Sequence, residues 1–398
     1  MRLSSRSRRL KPSATLAITT KAKQMRAEGL DVIGFGAGEP DFGTPDHVVD
    51  AAVEALRGGD TRYTPVGGTP ALRAAIAEAL RRDYGLEYGP GEITVSCGAK
   101  HTLYNLFMAL LDEGDEVIIP APYWVSYPEQ VRLAGGAPVI VPTREDDGFR
   151  LAPGDLEAAL SPRTRALVLN SPSNPTGSLY RREHLAALAE VLRGTDAVVV
   201  SDDIYHRLVY GGGSFVSILH VEPGLRDRVV IVNGVSKTYA MTGWRIGYAA
   251  GPADLIKAME TLQSQSTSNP TSFAQRGALA ALSGPQDCVE AMRRAFAERR
   301  DLIVRGLNAI PGITCALPDG AFYAFPNVSG LYGRRAGDRE IRGSLDLAAY
   351  LLDEARVAVV PGQPFGSDAH LRLSYATSPE AIREGLARIR EAVDALSG

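Results

Sequence analysis

Short apolar runs, many of them β-branched, recur along the first two thirds of the chain, and longer segments with helical spacing separate several of them. Residues 93–96 predict a strand and 100–111 a helix. Residues 117–119, 139–141 and 166–169 predict further strands. Helical spacing over 183–192 leads into the continuous apolar run 197–201, and 229–232 and 246–250 complete the series. Continuous apolar strands separated by helices are buried on both faces, the pattern of a parallel α/β sheet. It occupies residues 46–285. The pattern then changes. Residues 288–307 predict a long charged helix with apolar positions at Met292, Phe296, Leu302 and Ile303. Strands are expected at 312–316, 321–325, 357–360 and 371–375, and helices at 345–355 and 379–396. Such a mixture predicts a smaller α+β domain.

Composition narrows the class. The 398 residues are 45% hydrophobic and 22% charged, an ordinary globular balance. With 43 basic and 46 acidic residues the net charge is −3, so no global field draws the chain to nucleic acid or to an anionic membrane. Cys97, Cys288 and Cys315 have no metal-ligand spacing and are odd in number. No metal and no disulfide framework are therefore expected, and a reducing cytoplasm fits best. No apolar stretch approaches the roughly 18 residues of a membrane helix. Arg2, Arg6, Arg8, Arg9 and Lys11 precede the first acid, Glu28. An organellar transit peptide has this composition, but so does a basic arm lying on the protein's own surface, the favoured interpretation.

Ligands of such sheets bind where strands end and loops converge, and four predicted strand ends carry unusual polar residues. Cys97-Gly98-Ala99-Lys100 is a small-residue turn into a helix, suited to holding an anion on free N–H groups. The loop from Asn170 to Gly177 contains two X-Pro steps and would hold Asn174 in a set direction. Asp202, at the end of a buried strand, needs a cation or donors, and Tyr205 lies three residues on. Ser236, Lys237 and Arg245 combine a phosphate grip with a lysine free for Schiff-base chemistry. Each loop alone is compatible with a plain connection or a solvated surface. Together they suit one ligand, pyridoxal 5′-phosphate.

These residues carry a resemblance. The chain resembles the class I, fold-type I aminotransferases that use pyridoxal phosphate, along nearly its whole length. Matching stretches are 11–15 (Lys-Pro-Ser-Ala-Thr), 36–42, 123–127, 170–177, 236–248 and 372–376. Within the family it is most similar to the bacterial aspartate aminotransferases whose N-terminal arm carries the Lys-Pro-Ser-Ala-Thr run. The resemblance implies a large domain with a mainly parallel seven-stranded sheet covered by helices, and a smaller α+β domain. The expected division is an arm and part of the small domain at 1–45, the cofactor domain at 46–285, and the small domain at 286–398. It also implies roles. Lys237 would form the internal aldimine and then act as the base at the substrate Cα. Asp202 would face the pyridine nitrogen, Tyr205 and Asn174 the ring 3′-oxygen, and Trp124 the ring face. Gly98, Ala99, Lys100, Ser236 and Arg245 would surround the phosphate, and Tyr63 would reach the phosphate of the neighbouring subunit in a homodimer with shared sites. Arg372 would clamp the substrate α-carboxylate with Asn174, and Gly38 would close over the substrate.

The same resemblance implies that Lys100, with Ser13 and Thr15, meets the distal carboxylate, making aspartate and 2-oxoglutarate the expected substrates of a ping-pong transamination. The arginine that another branch uses is missing from 263–270, which reads Gln-Ser-Gln-Ser-Thr-Ser-Asn-Pro. Because lysine is a flexible point charge, aromatic donors or prephenate are alternatives. A β-lyase on the same fold is another, and an effector-binding regulator ranks last. Two departures stand out: Asp203 occupies a position where relatives usually carry Glu, and Gly211-Gly212-Gly213 looks like an insertion.

Overall fold

The computed structural model of the chain describes residues 14–397 together with Ser4, Arg8 and Leu10, without the side chains of 14–17 and 19. Helix α1 (Ala14–Ala27) leads to β1 (Ile33–Gly34), and α2 (Asp46–Arg57) and α3 (Pro70–Tyr84) precede β2 (Ile93–Ser96). Alternation follows: α4 (Ala99–Leu110), β3 (Glu116–Ala121), α5 (Ser126–Leu133), β4 (Ala137–Pro142), α6 (Pro153–Ala159), β5 (Thr164–Asn170), α7 (Arg182–Arg193) and β6 (Val198–Asp202). Next come β7 (Val229–Gly234), β8 (Gly247–Ala250), α8 (Ala253–Ser264), α9 (Ser272–Ser283) and α10 (Asp287–Asn308). The last part holds β9 (Tyr323–Ala324), β10 (Arg335–Ala336), β11 (Arg339–Glu340), α11 (Ser344–Asp353), β12 (Val357–Ala358), β13 (Val360–Pro361), β14 (Leu371–Ser374) and α12 (Pro379–Asp394). Local chemistry sets several starts. The Thr69 and Ser378 side chains accept from the N–H groups of Leu72 and Ala381, and Pro70 and Pro379 open α3 and α12.

Seven strands form the large sheet in the order β2-β8-β7-β6-β5-β3-β4. The pairs among β3 to β7 are parallel, as the apolar runs predict. The exception is β8, antiparallel to both β2 and β7. Its connection from β7 contains a 3₁₀ turn, Thr242–Trp244, and no crossover helix, so the chain returns in the opposite sense. Period-two alternation splits the strand residues between two cores. Val117, Ile119, Ala166, Val168, Val200, Val230 and Val232 face one, with Leu103, Phe107 and Met259 from α4 and α8. Ile118, Leu167, Leu169, Val199, Val229 and Ile231 face the other, with Ile76 of α3 and Leu188 of α7.

A third core gathers Phe296, Ile303 and Leu307 of α10 with Leu347, Leu371, Leu373, Ile382 and Ile389. Ile33 and Phe35 from the N-terminal segment pack into it, and so do Tyr205, Leu208 and Tyr210 from beyond β6. Ile33 pairs with Val357 in a two-stranded parallel sheet, while β13, β14 and β9 make an antiparallel one. The expected strand at 312–316 is not formed. The Asn308 side chain bonds both the N–H and the C=O of Cys315, at 2.7 and 3.0 Å, and takes the groups a ladder needs. Thr314 keeps only an isolated bridge to Asn327. The run at 357–360 divides into β12 and β13, which pair with different partners.

Gly247 opens β8 against the start of α4. A Cβ there would stand 2.1 Å from the Ala99 backbone nitrogen and 2.4 Å from the Gly98 carbonyl carbon, and backbone has little room to yield. Gly247→Ala is expected to lower stability by about 1–3 kcal/mol, read as the urea-unfolding midpoint. An unchanged midpoint would show that the approach is looser than described.

Candidate active site

The ends of β2, β5, β6 and β7 open into a cavity of about 610 Å³. Ala99, Lys100, Trp124, Asn174, Asp202, Tyr205, Ser236, Lys237 and Arg245 line it from the sheet side, Gly38 from the N-terminal segment, and Arg372 from β14. Most of the residues expected at the site are thus brought to one place. Gly98 sits immediately behind it as the residue before α4, with φ +88°, and a Cβ there would meet the Arg245 guanidinium at 2.4 Å. Glycine lets that guanidinium lie over the turn. Tyr63 does not join the cavity and is 90% exposed. Ser13 and the Thr15 side chain lie outside the described residues.

Buried charge dominates the site. Asp202 is 4% exposed; it accepts from the Tyr127 hydroxyl at 2.5 Å and from the Ile204 N–H at 3.4 Å. Burial pushes its carboxyl up to about 6 against the opposing pull of those bonds and of Lys237. Burial lowers the Lys237 amine to about 8, and its Nζ donates to the Gly38 carbonyl at 2.6 Å. The Arg372 guanidinium donates to the Gly36 carbonyl at 2.8 Å and to Asn174 Oδ1 at 3.2 Å, and burial shifts it downward too. Its Nε has no partner among the described residues.

The loops hold these groups rigidly. Asn170 donates through Nδ2 to the Asp202 carbonyl at 2.8 Å and accepts from the Asn174 N–H at 2.9 Å. Arg245 takes a left-handed backbone conformation, φ +59°, and donates to the Thr242 carbonyl at 2.7 Å. The Lys100 ammonium lies 4.9 Å from the Trp124 ring centroid, and its pKa is lowered by burial first and by Arg245 second. Asp203, buried behind Asp202, accepts from Ser201 Oγ at 2.7 Å, and burial raises it well above the usual carboxylate range. The Gly211-Gly212-Gly213 turn is exposed and lies away from the cavity lining.

Tyr127, Tyr323, Glu39 and Thr242 are among the lining residues not singled out from the sequence. The Thr242 hydroxyl donates to Glu39 at 2.8 Å, which ties the N-terminal segment to the β7–β8 loop. Tyr127 carries a usable signal, since it lies three positions after Trp124 in a segment with helical spacing. Chemically, the cavity offers a nucleophilic amine, a carboxylate waiting for a cation, and several cations waiting for anions.

Residues 30–389 match the family described as aminotransferase class I and II. An aspartate aminotransferase of Geobacillus stearothermophilus is 55% identical over 99% of this chain and 100% of its own length. An aspartate/prephenate aminotransferase of Cereibacter sphaeroides is 54% identical over 96% of each chain. Among solved structures, the aspartate aminotransferase of Rhizobium meliloti superposes with TM-score 0.96 at 49% identity over 100% of both chains. That of Thermus thermophilus with maleate gives 0.93 at 46% identity, over 98% of this chain and 100% of the other. The chain belongs to the class I and II aminotransferases, a family of pyridoxal-phosphate enzymes with the fold-type I architecture described above.

With a pKa near 8, about one-tenth of Lys237 is uncharged at pH 7, against roughly one part in 3,000 at the ordinary 10.5. Reductive methylation of Lys237 in the cofactor-free protein should therefore rise with pH through a midpoint near 8, followed by mass spectrometry of its peptide. A midpoint above 10 would contradict the desolvated environment.

Proposed function

We propose that this protein binds pyridoxal 5′-phosphate and transfers the amino group of L-aspartate to 2-oxoglutarate, giving oxaloacetate and L-glutamate in two half-reactions. The observation that carries this proposal is the convergence of Lys237, Asp202, Arg245 and Arg372 on one cavity. The donor set fits the cofactor at each end. The free N–H groups at the start of α4, Ser236 and the Arg245 guanidinium suit a phosphate. Asp202, buried and with no cation bonded to its carboxylate among the described residues, suits a protonated pyridine nitrogen.

When bound, the cofactor supplies an aldehyde that condenses with amines and a ring that draws electrons from the substrate Cα. The protein's groups do the rest. Lys237, its pKa lowered by burial, would take the proton from the substrate Cα and deliver it to the cofactor's C4′. Asp202 keeps the ring nitrogen protonated, a charge-assisted bond worth roughly 1.5–3 kcal/mol. Tyr205 and Asn174 direct hydrogen bonds at the 3′-oxygen, and Trp124 covers the ring. Arg372 holds the α-carboxylate beside Asn174 and fixes the Cα–H bond. Gly38 closes over the substrate and excludes water. Lys100, with Ser13 and Thr15, meets the distal carboxylate.

The names of the relatives favour transamination over β-elimination. They also support a second substrate class on the acceptor side, because some are aspartate/prephenate aminotransferases and prephenate is a 2-oxo acid. Lys100 leans on the Trp124 ring rather than on a carboxylate, so it is able to move aside for a different side chain. We further propose a homodimer in which the exposed Tyr63 reaches the phosphate in the neighbouring subunit. Packing of Ile33 and Phe35 into the C-terminal core supports a division in which 1–45 joins 286–398 around a cofactor domain at 46–285. The free cysteines fit a reducing cytoplasm. Among the described residues no helix is long and apolar enough to cross a membrane.

Half-transamination of the holoenzyme with a panel of amino acids is the decisive measurement. Aspartate alone should shift the visible absorbance of bound cofactor, and no shift with any amino acid would refute transamination. Lys237→Ala should retain cofactor and lose multiple turnover by at least about 10²-fold, so normal turnover would remove the lysine from its role. Lys100→Ala should raise KM for aspartate far more than for an aromatic donor. Equal effects on both would exclude the distal-carboxylate contact.

A further inference from the structure

Tyr323 stands at the junction of the two halves of the cavity. It is fully buried and lines the cavity. On the antiparallel pair β9–β14 it lies opposite Ser374, so Arg372, two residues further along, is its diagonal neighbour on the same face. The Arg372 guanidinium accordingly sits 4.6 Å from the Tyr323 ring centroid. At the other end, the Tyr323 and Tyr205 hydroxyls are 2.8 Å apart, and this is the one hydrogen bond of the Tyr323 hydroxyl among the described residues.

Two phenols share that bond and bring two protons to it. One proton occupies the bond and the other needs an acceptor elsewhere. The guanidinium stacked on the Tyr323 ring stabilises negative charge on that phenol and favours it as the donor. With Tyr323 donating, the Tyr205 proton is the one left over, on a residue that faces the cavity. We propose that Tyr323 is a positioning residue: its hydroxyl donates to Tyr205 and turns the Tyr205 proton toward the cofactor's 3′-oxygen, while its ring carries the Arg372 guanidinium. This rests on the cofactor assignment made above. It links the group that holds the substrate carboxylate to the group that polarises the cofactor through a single side chain, and donation into Tyr205 strengthens the bond that Tyr205 makes in turn.

A donor to the 3′-oxygen stabilises the deprotonated, more negative form of the bound cofactor, so weakening that donor raises the pH midpoint of its visible absorption band. In the holoenzyme, Tyr323→Phe should raise the midpoint by about half a pH unit, less than Tyr205→Phe does. Because the ring remains under Arg372, KM for aspartate should change less than about twofold in Tyr323→Phe. Tyr323→Leu, which removes the ring as well, should raise that KM roughly five- to tenfold. A Tyr323→Phe midpoint equal to that of the wild type, with Tyr205→Phe shifted, overturns the proposal and leaves the cofactor assignment standing. If Tyr205→Phe is also unshifted, the role given to Tyr205 fails and the proposal falls with it. Equal KM values in the Phe and Leu variants would overturn the support of Arg372.

Discussion

Removing Lys237, Asp202 and Arg372 from water is the constraint on which the rest of the structure depends. For each of the three, burial is the leading cause of the pKa shift. Buried charges persist only where donors and acceptors replace the lost hydration. Here those replacements come from remote parts of the chain: Gly36 and Gly38 near the start, Tyr127 on α5, and Asn174 beyond β5. The tertiary fold is what makes the charges tolerable. Full compensation is not reached, since Lys100, Lys237, Arg245 and Arg372 face only Asp202 and Glu39 among the acids of the lining. The surplus positive charge is the affinity of the cavity for anions.

The sheet was legible in the sequence because its strands are apolar on both sides, and the runs at 166–169 and 229–232 admit no other placement. Strand direction was not legible. The run before Ala250 reads like its neighbours, and only the missing crossover helix turns β8 around. The strand expected at 312–316 failed for a reason invisible in an apolar pattern, namely the Asn308 side chain reaching seven residues ahead to Cys315. The site divides in the same way. Polar residues at strand ends announced themselves, because Asp202, Lys237 and Arg245 are out of place in apolar surroundings. Tyr323 did not, because a phenol inside an apolar run resembles core filling until its hydroxyl is seen to have a partner.

The sheet and the C-terminal core do not meet as separate blocks. Tyr205, Leu208 and Tyr210 leave the sheet directly after Asp202 and pack into the C-terminal core with Phe322 and Tyr375. From the opposite direction, Phe35 belongs to that core while Gly38, three residues on, receives the bond from Lys237. A displacement of the core relative to the sheet is therefore transmitted to Asp202 and to Lys237 by short stretches of backbone. This geometry gives any ligand that engages Arg372 a mechanical route to both Asp202 and Lys237.

The pairing of Ile33 with Val357 also bears on the making of the protein. Residues 33–38 are synthesised long before the strands that receive them, because β12 and β14 are encoded more than three hundred positions later. The sheet from β2 to β8 can assemble while synthesis continues, whereas the N-terminal segment must wait for β12 and β14. Until then Lys237 lacks the Gly38 carbonyl and Arg372 does not exist. A nascent chain thus carries a nearly complete sheet and no working cavity, so chemical competence arrives late and all at once, when β12 to β14 are made.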